Sequence, residues 1–585
     1  MAAEAPRELS PARRLALEAE LASDRGEGFA AEVLDANAAK RRVSPQDLAL
    51  AREITAGSLR CRPSLDAWIN RFLTSPPEKL HPTIRTILRQ GGYQLAALDR
   101  VPVHAIVNEA VEASRGVSSA AFKGLVNALM RRMSESVVAR GLPDDGGHSR
   151  RRFLARAQLD AAGALRQDWT ELKGDFLPDF AADPVGHLAG AYGLPRAAVD
   201  SLQAAAPTAR LAQTLLAADT LPALTVRLNP VALLRPGQPP LAEEQIFAGA
   251  AGLRRFDVWL ATATAAAAAT AAAATTTNVT AATGFTPPAL PSPPPAAPVS
   301  SEVQSGEWHL PTALDDFYAL PAGTHPGDLP GLEAGLYVVQ DRAAGEAARV
   351  LDPRPGERIL DLCAAPGGKT VQIAGILAGR ALAATDGVST GGGSGETGRN
   401  RKPRPALLVA CDADPERLLS IVDAAKRCRL SGRVVDDPAQ ATALAQAPAG
   451  SAPGATPGLD LRLLALDGRQ IPAAWQAQFD AVLVDAPCSN LGVLQRRWEA
   501  RWRLDELGSE RLIGLQRELL TSAARAVKPG GRLIYTTCTV ARGENEDQVA
   551  AFLAAHPEFT GKSQRTILPT PGLHDGAFVA ELRRL

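Results

Sequence analysis

The stretch "LDLCAAPGGKT", residues 360–370, joins an apolar run to a Pro-Gly-Gly turn and a lysine. An apolar strand that closes on glycines and opens a helix is typical of the first unit of a ligand-binding α/β sheet. The glycines let backbone amides approach a ligand, and the N-terminus of the following helix favours an anionic group. The turn has neither the Gly-x-Gly-x-x-Gly nor the P-loop spacing, so it disfavours NAD and ATP.

Around this stretch, short β-rich runs alternate with helical segments through the C-terminal part of the chain. The runs are "ERILDLCA", "ALLVACDAD", "LRLLALDG", "FDAVLVDAP" and "GRLIYTTCT". Continuous apolar strands that alternate with helices indicate a parallel sheet covered on both faces. We therefore predict a doubly wound α/β, Rossmann-like domain over residues 346–585, with its ligand site at the carboxyl ends of the strands.

The remainder of the 585-residue chain is predicted to form two further domains. Residues 8–145 contain helical patterns broken by short turns, with apolar residues three and four apart, as at Ile84, Ile87 and Leu88, which indicates an all-α bundle. Residues 150–345 mix strand and helix patterns, so we expect a small α+β linker domain. Its segment 260–301 is built mainly from Ala, Thr and Pro, and we predict a disordered insertion there.

The charge balance, the cysteine content and the apolar segments limit the classes of protein to which the chain can belong. Lys plus Arg (63) equals Asp plus Glu (63), so any contact with nucleic acid must rest on a local basic cluster. The six cysteines include no Cys-x-x-Cys pair, and no metal site is expected. No segment has the apolar composition of a leader peptide or a membrane span. We expect a cytoplasmic protein without a metal, and a monomer because a self-contained site needs no partner.

Acidic residues follow the next two predicted strands. Asp412 ends one strand, where a carboxylate could accept hydrogen bonds from ribose hydroxyls, and Asp467 ends another, where it could meet an adenine amino group. Asp414 is better explained as a helix N-cap. A glycine turn and two acids at three strand ends describe a nucleoside cofactor with an anionic tail, and S-adenosylmethionine fits this description.

Two cysteines, Cys488 and Cys538, also lie at predicted strand ends. Carbon 5 of a pyrimidine becomes nucleophilic when a thiolate adds to carbon 6, so methylation at carbon 5 requires a cysteine. A second ionisable group is useful because the carbon 5 proton must leave and the thiol must be eliminated. The residues alone do not rank the two thiols. The other four cysteines are expected to be small buried hydrophobic residues: Cys61, Cys363, Cys411 and Cys428.

Next to Cys488, Asp485 could accept from the exocyclic amino group of cytosine or share a proton with ring nitrogen 3, which favours cytosine over uracil. The segment "QRRWEARWR", residues 495–503, follows. Its arginines could hold phosphates and its tryptophans could stack on bases, or the segment could be an ordinary solvated helix start. The candidate RNA contacts are Arg496, Arg497, Arg501 and Arg503.

These motifs resemble those of the Nol-Nop-Sun family of RNA cytosine-5 methyltransferases, especially its bacterial members that act on 16S ribosomal RNA. The resemblance rests on "LDLCAAPGGKT", "CDADPERL", "DGR", "FDAVLVDAPCSNLGV", "GGRLIYTTCT" and "ENE" in family order. "ILRQGGYQLAALDRVPVHAIVNEAVEASR" and "GLVNALMRRM" resemble a NusB-like RNA-binding domain, and "LTVRLNP" and "VVQD" lie between the two parts. The resemblance covers most of the chain outside the insertions.

The resemblance implies a role for each matching residue. It makes Cys538 the nucleophile and Cys488 the thiol that helps to release the product. The cofactor would lie on Asp412, Asp467, Asp485 and the turn formed by Cys363, Ala364, Ala365, Pro366, Gly367, Gly368 and Lys369. This chain departs from the family in two places: it has "SNLG" after Cys488 instead of a Ser-Gly-Thr-Gly-like turn, and "RRWEARWR" instead of a commoner Arg-Arg-His-Pro run.

Three alternatives stay open from the sequence. The same chemistry could act on transfer RNA or another RNA, because neither the Arg-Trp segment nor the bundle shows which RNA is read. The chain could instead be an RNA-binding or assembly factor with a silent methyltransferase domain, although the complete set of cysteines and acids argues against this. A methyltransferase acting on protein or small molecules would have no need for two thiols.

Overall fold

The structure is a computed structural model. It describes residues 9–117, 121–143, 149–159, 165–220, 222, 224–233, 254–255, 317–320, 331–385, 404–435, 456–503 and 506–585. The predicted disordered insertion at 260–301 lies outside the described residues.

Seven helices form the N-terminal part of the chain. Ile84, Ile87 and Leu88 are buried, as their spacing predicts, and they pack with Trp68 and Met130 into one core. The sequence prediction of an all-α bundle is therefore confirmed. The helices are α1 (Pro11–Asp24), α2 (Ala30–Arg41), α3 (Pro45–Arg60), α4 (Arg62–Asn70), α5 (Pro82–Ala97), α6 (Val103–Ala113) and α7 (Ala121–Ser136).

The described residues of the middle of the chain form two small antiparallel sheets and four helices. The first sheet has the strand order β1-β3-β2 and the second β5-β6-β4-β7. The elements are β1 (Val137–Leu142), β2 (Arg152–Leu159), β3 (Leu165–Leu172), α8 (Pro184–Tyr192), α9 (Arg196–Ala205), α10 (Thr208–Ala217), β4 (Thr225–Leu228), α11 (Pro230–Leu233), β5 (Arg254–Arg255), β6 (Phe317–Ala319) and β7 (Tyr337–Val339).

The C-terminal part is one sheet of eight strands in the order β10-β11-β9-β8-β12-β13-β15-β14, with helices packed on it. The six strands from β10 to β13 in this order run parallel, and β15 lies antiparallel between β13 and β14. The elements are α12 (Arg342–Leu351), β8 (Arg358–Leu362), α13 (Gly368–Thr385), β9 (Ala406–Asp412), α14 (Pro415–Arg427), β10 (Gly432–Val435), β11 (Leu459–Ala465), β12 (Phe479–Asp485), α15 (Glu506–Ala526), β13 (Val527–Thr537), α16 (Glu546–Ala555), β14 (Phe559–Ile567) and β15 (Ala577–Arg584). The doubly wound α/β fold is thus confirmed.

The register of this sheet brings the candidate residues to one edge. Leu362, the last residue of β8, lies opposite Cys411 of β9 and Val484 of β12. Asp485 in turn lies opposite Thr536 of β13, two residues before Cys538. Because these strands are parallel and end at the same level, their following residues share one rim of the sheet.

A short 3-10 helix, Trp498–Arg503, joins the sheet domain to the N-terminal bundle. Trp498 and Trp502 pack on the core formed by α1, α2 and α3, and the guanidinium of Arg62 lies 5.1 Å from the centre of the Trp502 ring. The carboxylate of Glu499 accepts a hydrogen bond of 2.8 Å from the backbone N–H of Ala30 at the start of α2. We call Trp498–Arg503 the clasp segment.

Two features are absent from the described residues. None of their helices is long and apolar enough to cross a membrane. No group of three or more His, Cys, Asp or Glu side chains among them is placed to hold a metal ion.

Candidate active site

The glycine turn after β8 is built to leave backbone open to a ligand. Cys363 has φ +61° and Gly367 has φ +103°, a region in which a glycine costs least. A Cβ added at Gly367 would meet Ile421 within about 3 Å, whereas one added at Gly368 would meet nothing within 4 Å. The N-terminus of α13 therefore faces open space, as an anionic group of a cofactor would require.

Asp412 is buried at the end of β9 and holds the turn in place. Its carboxylate accepts hydrogen bonds from the backbone N–H groups of Ala365 at 3.0 Å and Asp414 at 3.1 Å, and Arg417 lies 3.5 Å away. A carboxylate offers about four lone-pair sites, so capacity for ribose hydroxyls is left. Asp414 caps α14 by accepting from the N–H of Glu416, which confirms its interpretation as an N-cap.

Asp467 follows β11 and is half-buried at the same rim. Its carboxylate pairs with Arg469 at 2.6 Å and accepts from the backbone N–H of that residue at 3.0 Å. The hydrogen bond from Arg469 lowers the pKa of Asp467, so the group is a carboxylate at neutral pH. Such a group can accept a hydrogen bond from an amino group.

Lys369 and Asp485 form an ion pair between the glycine turn and the strand that leads to Cys488. Lys369 Nζ lies 2.7 Å from Asp485 Oδ2, and both side chains are largely buried. Burial by itself would lower the pKa of Lys369, but the charge and hydrogen bond of Asp485, together with the charges of Cys538 and Asp361, outweigh burial and the pKa is raised. The ion pair holds the ammonium group of Lys369 close enough to Cys538 for the two groups to interact electrostatically.

Sequence reasoning missed Asp361, which lies fully buried inside β8. Its Oδ2 accepts from the hydroxyl of Thr370 at 2.6 Å, and among the described residues its Oδ1 has no hydrogen-bond partner. Burial raises the pKa of Asp361 to about 7. The signal in the sequence was an acid within the apolar run "RILDL", since such a position is rarely acidic without a polar role.

The two strand-end cysteines lie together. Cys488 Sγ and Cys538 Sγ are 3.2 Å apart, and both thiols are free. Cys488 stands in the loop after β12 and Cys538 directly after β13, so the sheet register and this short contact join residues fifty positions apart. The pairing that the strand ends suggested is therefore present as a close thiol pair.

The surroundings make the two thiols electrostatically unequal. A hydrogen bond from Cys488 lowers the pKa of Cys538. Burial and the charge of Asp485 oppose this change, and the cations Lys369 and Arg497 support it. The same hydrogen bond, together with burial, raises the pKa of Cys488 well above its usual range. Cys538 is thus the thiol that favours the thiolate form, which is the reactive form of cysteine.

Asn490 contacts both cysteines from the "SNLG" turn. Its Nδ2 donates to the backbone oxygen of Cys488 at 2.9 Å, and its Oδ1 lies 3.1 Å from Cys538 Sγ, where it accepts from the thiol form. Asn490 has φ +62°, a conformation that Asn and Gly tolerate best. Because Oδ1 cannot donate to a thiolate, Asn490 favours the protonated state of Cys538 and opposes Lys369 and Arg497.

We expect Asn490→Asp to shift the pH dependence of any reaction that uses the thiolate of Cys538. A carboxylate beside Cys538 Sγ disfavours the thiolate and raises the pKa of Cys538. The acidic limb of the rate profile should then move to higher pH by about one unit or more, so the rate near neutral pH falls roughly tenfold. Asn490→Gly is the matched control, since it fits φ +62° and adds no charge; an equal shift in this variant would contradict the explanation.

A buried network supports the Cys488 loop. Glu544 Oε2 accepts from the backbone N–H of Ser489 at 3.0 Å and from Gln516 Nε2 at 2.9 Å. Gln516 Nε2 also lies 2.9 Å from the backbone oxygen of Pro487. Glu544 belongs to the "ENE" motif, so the sequence contained a signal for it but none for its contact with the loop.

The four arginines of "QRRWEARWR" do not share one location. Arg497 is exposed next to Cys488, whereas Arg496 is partly buried and pairs with Asp575 at 2.8 Å and Asp341 at 3.3 Å. Arg501 is 0% exposed and pairs with Asp219 at 3.1 Å. The expected RNA contact of Arg501 is therefore corrected, because a fully buried guanidinium cannot reach a phosphate. The side chain of Arg503 lies outside the described residues.

Comparisons with known proteins match the two ends of the chain to two different families. A profile of the family described as "16S rRNA methyltransferase RsmB/F" matches residues 348–389 and 455–583, and a profile of the NusB family matches residues 10–135. A putative methyltransferase of Mycobacterium tuberculosis is 29% identical over 99% of this chain and 98% of its own length. The ribosomal RNA small subunit methyltransferase B of Klebsiella pneumoniae is 26% identical over 93% of this chain and 91% of its own. The crystal structure of PH0851 superposes with a TM-score of 0.60, covers 99% of this chain and 100% of its own, and shares 19% identity, which shows a common fold.

Proposed function

We propose that this chain, an RsmB-like protein of the Nol-Nop-Sun methyltransferases with a NusB-like helical domain, methylates carbon 5 of a cytosine in 16S ribosomal RNA. The observation that carries the chemistry is the close pair of thiols, 3.2 Å apart, beside the Lys369–Asp485 ion pair. A methyltransferase that used no covalent adduct would not need them. In this proposal, residues 8–145 form the RNA-binding domain, residues 150–345 the linker domain and residues 346–585 the catalytic domain.

The residues of the rim fit S-adenosylmethionine. The open N-terminus of α13 at Gly368 suits its carboxylate, Asp412 has acceptor capacity for the ribose, and Asp467 can accept from the adenine amino group. When bound, S-adenosylmethionine supplies the methyl group. Asp485 and Lys369 close the cofactor site on the side of the thiols.

In the proposed reaction, the Cys538 thiolate forms a bond to carbon 6 of the cytosine, and the displaced electron pair makes carbon 5 nucleophilic. Asp485 shares a proton with ring nitrogen 3, and this proton compensates the negative charge that the addition places on the ring. After carbon 5 has received the methyl group, a base removes its proton. The electrons of that C–H bond restore the ring double bond, and the Cys538–carbon 6 bond breaks to return the thiolate.

Cys488 is the proposed base for this last step. In the free protein its pKa is raised by the hydrogen bond with Cys538, by burial and by the charge of Cys538. Two of these three causes disappear when Cys538 is bonded to the cytosine, because the sulfur then carries no charge. Cys488 can then lose its own proton to solvent through the adjoining cavity and accept the proton of carbon 5.

The test follows the hydrogen on carbon 5. Protein-free, unmodified 16S RNA labelled with tritium at carbon 5 of cytosine is incubated with the protein and S-adenosylmethionine. Release of tritium in step with methyl incorporation is expected, because only methylation at carbon 5 removes that hydrogen. Methylation without release would contradict the assigned position. Release from transfer RNA but not from 16S RNA would favour the alternative substrate, and failure to bind S-adenosylmethionine would favour a silent RNA-binding or assembly factor.

Asp467→Ala tests the cofactor site. Loss of one charged acceptor should weaken the binding of S-adenosylmethionine about tenfold, measured by calorimetry, since a hydrogen bond to a charged group contributes about 1.5–3 kcal/mol. Arg469→Ala removes the exposed partner of Asp467 and should leave the affinity within about twofold. An equal loss of affinity for S-adenosylmethionine in both variants would show that binding depends on the ion pair and not on the carboxylate itself.

A further inference from the structure

A cavity of about 180 Å³ opens beside the thiol pair. Since roughly 10–15 Å³ suffices for one water, this cavity has room for a small flat molecule. Its lining combines residues of the cysteine loop with one aromatic residue from another part of the chain. The residues that matter here are Phe29, Cys488, Ser489, Asn490, Arg497 and Leu512.

Phe29 belongs to the N-terminal helical bundle and not to the catalytic sheet domain. It is half-buried and stands directly before α2, with extended backbone at φ −80° and ψ 139°. The next residue, Ala30, donates its backbone N–H to Glu499 of the clasp segment at 2.8 Å, and Glu499 is buried. This hydrogen bond fixes the start of α2 against the loop that bears Cys488.

We infer that Phe29 is a positioning residue for the target nucleotide and that its ring stacks on the cytosine held at the thiols. This inference rests on the proposed function. A base must leave its stack to reach a thiol, and enzymes that extract a base commonly replace the lost stacking with an aromatic or apolar side chain. The pocket provides a ring on the bundle side, the Cys488 thiol on the sheet side and the exposed guanidinium of Arg497 for the adjoining phosphate. The Sγ of Cys538 lies 3.2 Å from that of Cys488.

In this inference the helical bundle has a second function besides binding RNA, because it also forms part of the base pocket. An RNA-binding domain on a separate linker would only raise the local concentration of RNA. Here the bundle supplies one wall of the base pocket, so the pocket is complete only when the bundle and the sheet domain are docked through the clasp segment.

Substitutions at Phe29 separate stacking from simple packing. Phe29→Leu keeps an apolar side chain next to the clasp segment but removes the π-face, and Phe29→Tyr keeps the ring. If Phe29 stacks on the base, kcat/KM for tritiated 16S RNA should fall roughly tenfold to hundredfold in Phe29→Leu and stay near the wild-type value in Phe29→Tyr. The affinity for S-adenosylmethionine and the midpoint of thermal unfolding should be unchanged in both. Equal activity of Phe29→Leu and the wild type would overturn the inference.

A second readout keeps this test independent of catalysis. A short oligocytidine that carries the fluorescent analogue pyrrolocytidine reports stacking through its emission, and its affinity is measured for the same three proteins. Weaker binding only in Phe29→Leu supports the inference even if the wild type releases no tritium, in which case the proposed function fails alone. Equal affinity of all three proteins overturns the inference even if the wild type methylates 16S RNA at carbon 5.

Discussion

Cys538→Ala is expected to reduce methyl transfer to RNA by at least about 10⁴-fold, because in the proposed mechanism Cys538 is the group that adds to carbon 6 of the cytosine. In this variant the hydrogen bond with Cys538 is lost, but burial and the charge of Glu544 still raise the pKa of Cys488, so we expect Cys488 to be a poor replacement. The measurement is methyl incorporation into unmodified 16S RNA. Binding of S-adenosylmethionine by the variant, followed by calorimetry, controls for its folding.

Cys488→Ala is the matched variant and should behave differently. In the proposed mechanism, adduct formation needs only Cys538 but release of the product needs Cys488 as the base, so a covalent RNA–protein complex should accumulate and survive denaturation. An adduct that accumulates in Cys538→Ala instead would reverse the two roles. If the wild type methylates the RNA while neither variant loses activity, the covalent mechanism is wrong.

The second large effect is expected at Arg501. Its guanidinium is fully buried between the domains and donates to Asp219 at 3.1 Å and to the backbone oxygens of Arg60 at 3.0 Å and Ala218 at 2.8 Å. Arg501→Met leaves a buried carboxylate without this partner. We expect the free energy of unfolding, measured by urea titration, to fall by about 3–5 kcal/mol.

A double variant separates the charge from the packing. In Arg501→Met/Asp219→Leu the uncompensated carboxylate is gone, although the backbone oxygens still lack their donor. The double variant should therefore be more stable than the sum of the two single losses predicts, by about 0.5–3 kcal/mol. Strict additivity would show that Asp219 gains nothing from Arg501. Arg497→Met, at an exposed position, should change stability by no more than about 0.5 kcal/mol.

The sequence predicted the architecture of the sheet well because most of its parallel strands are buried. Such strands are mainly apolar, and a polar residue that ends one of them is therefore conspicuous. Asp412, Asp485 and Cys538 stood out in this way, and the structure places all three along one rim. Sequence spacing is sufficient here because the fold itself determines where a strand end lies.

The clasp segment was not predictable in the same way. A short run of arginines and tryptophans fits an RNA contact, a solvated helix or a buried interface equally well, since all three use cations and aromatic rings. The choice depends on residues far away in the chain, such as Asp219 for Arg501 and Ala30 for Glu499. Phe29 was missed for the same reason, because nothing near it in the sequence indicates a base pocket.

The clasp segment also limits how this chain can be divided. A fragment that begins near residue 346 would carry Trp498, Trp502 and Arg501 without the helices that cover them. Two exposed indoles and a guanidinium stripped of its acceptors would favour self-association of the fragment. The smallest fragment that we expect to remain folded and soluble therefore contains the bundle, the linker and the sheet domain together. The chain should tolerate truncation or splitting far less than a protein made of independent domains.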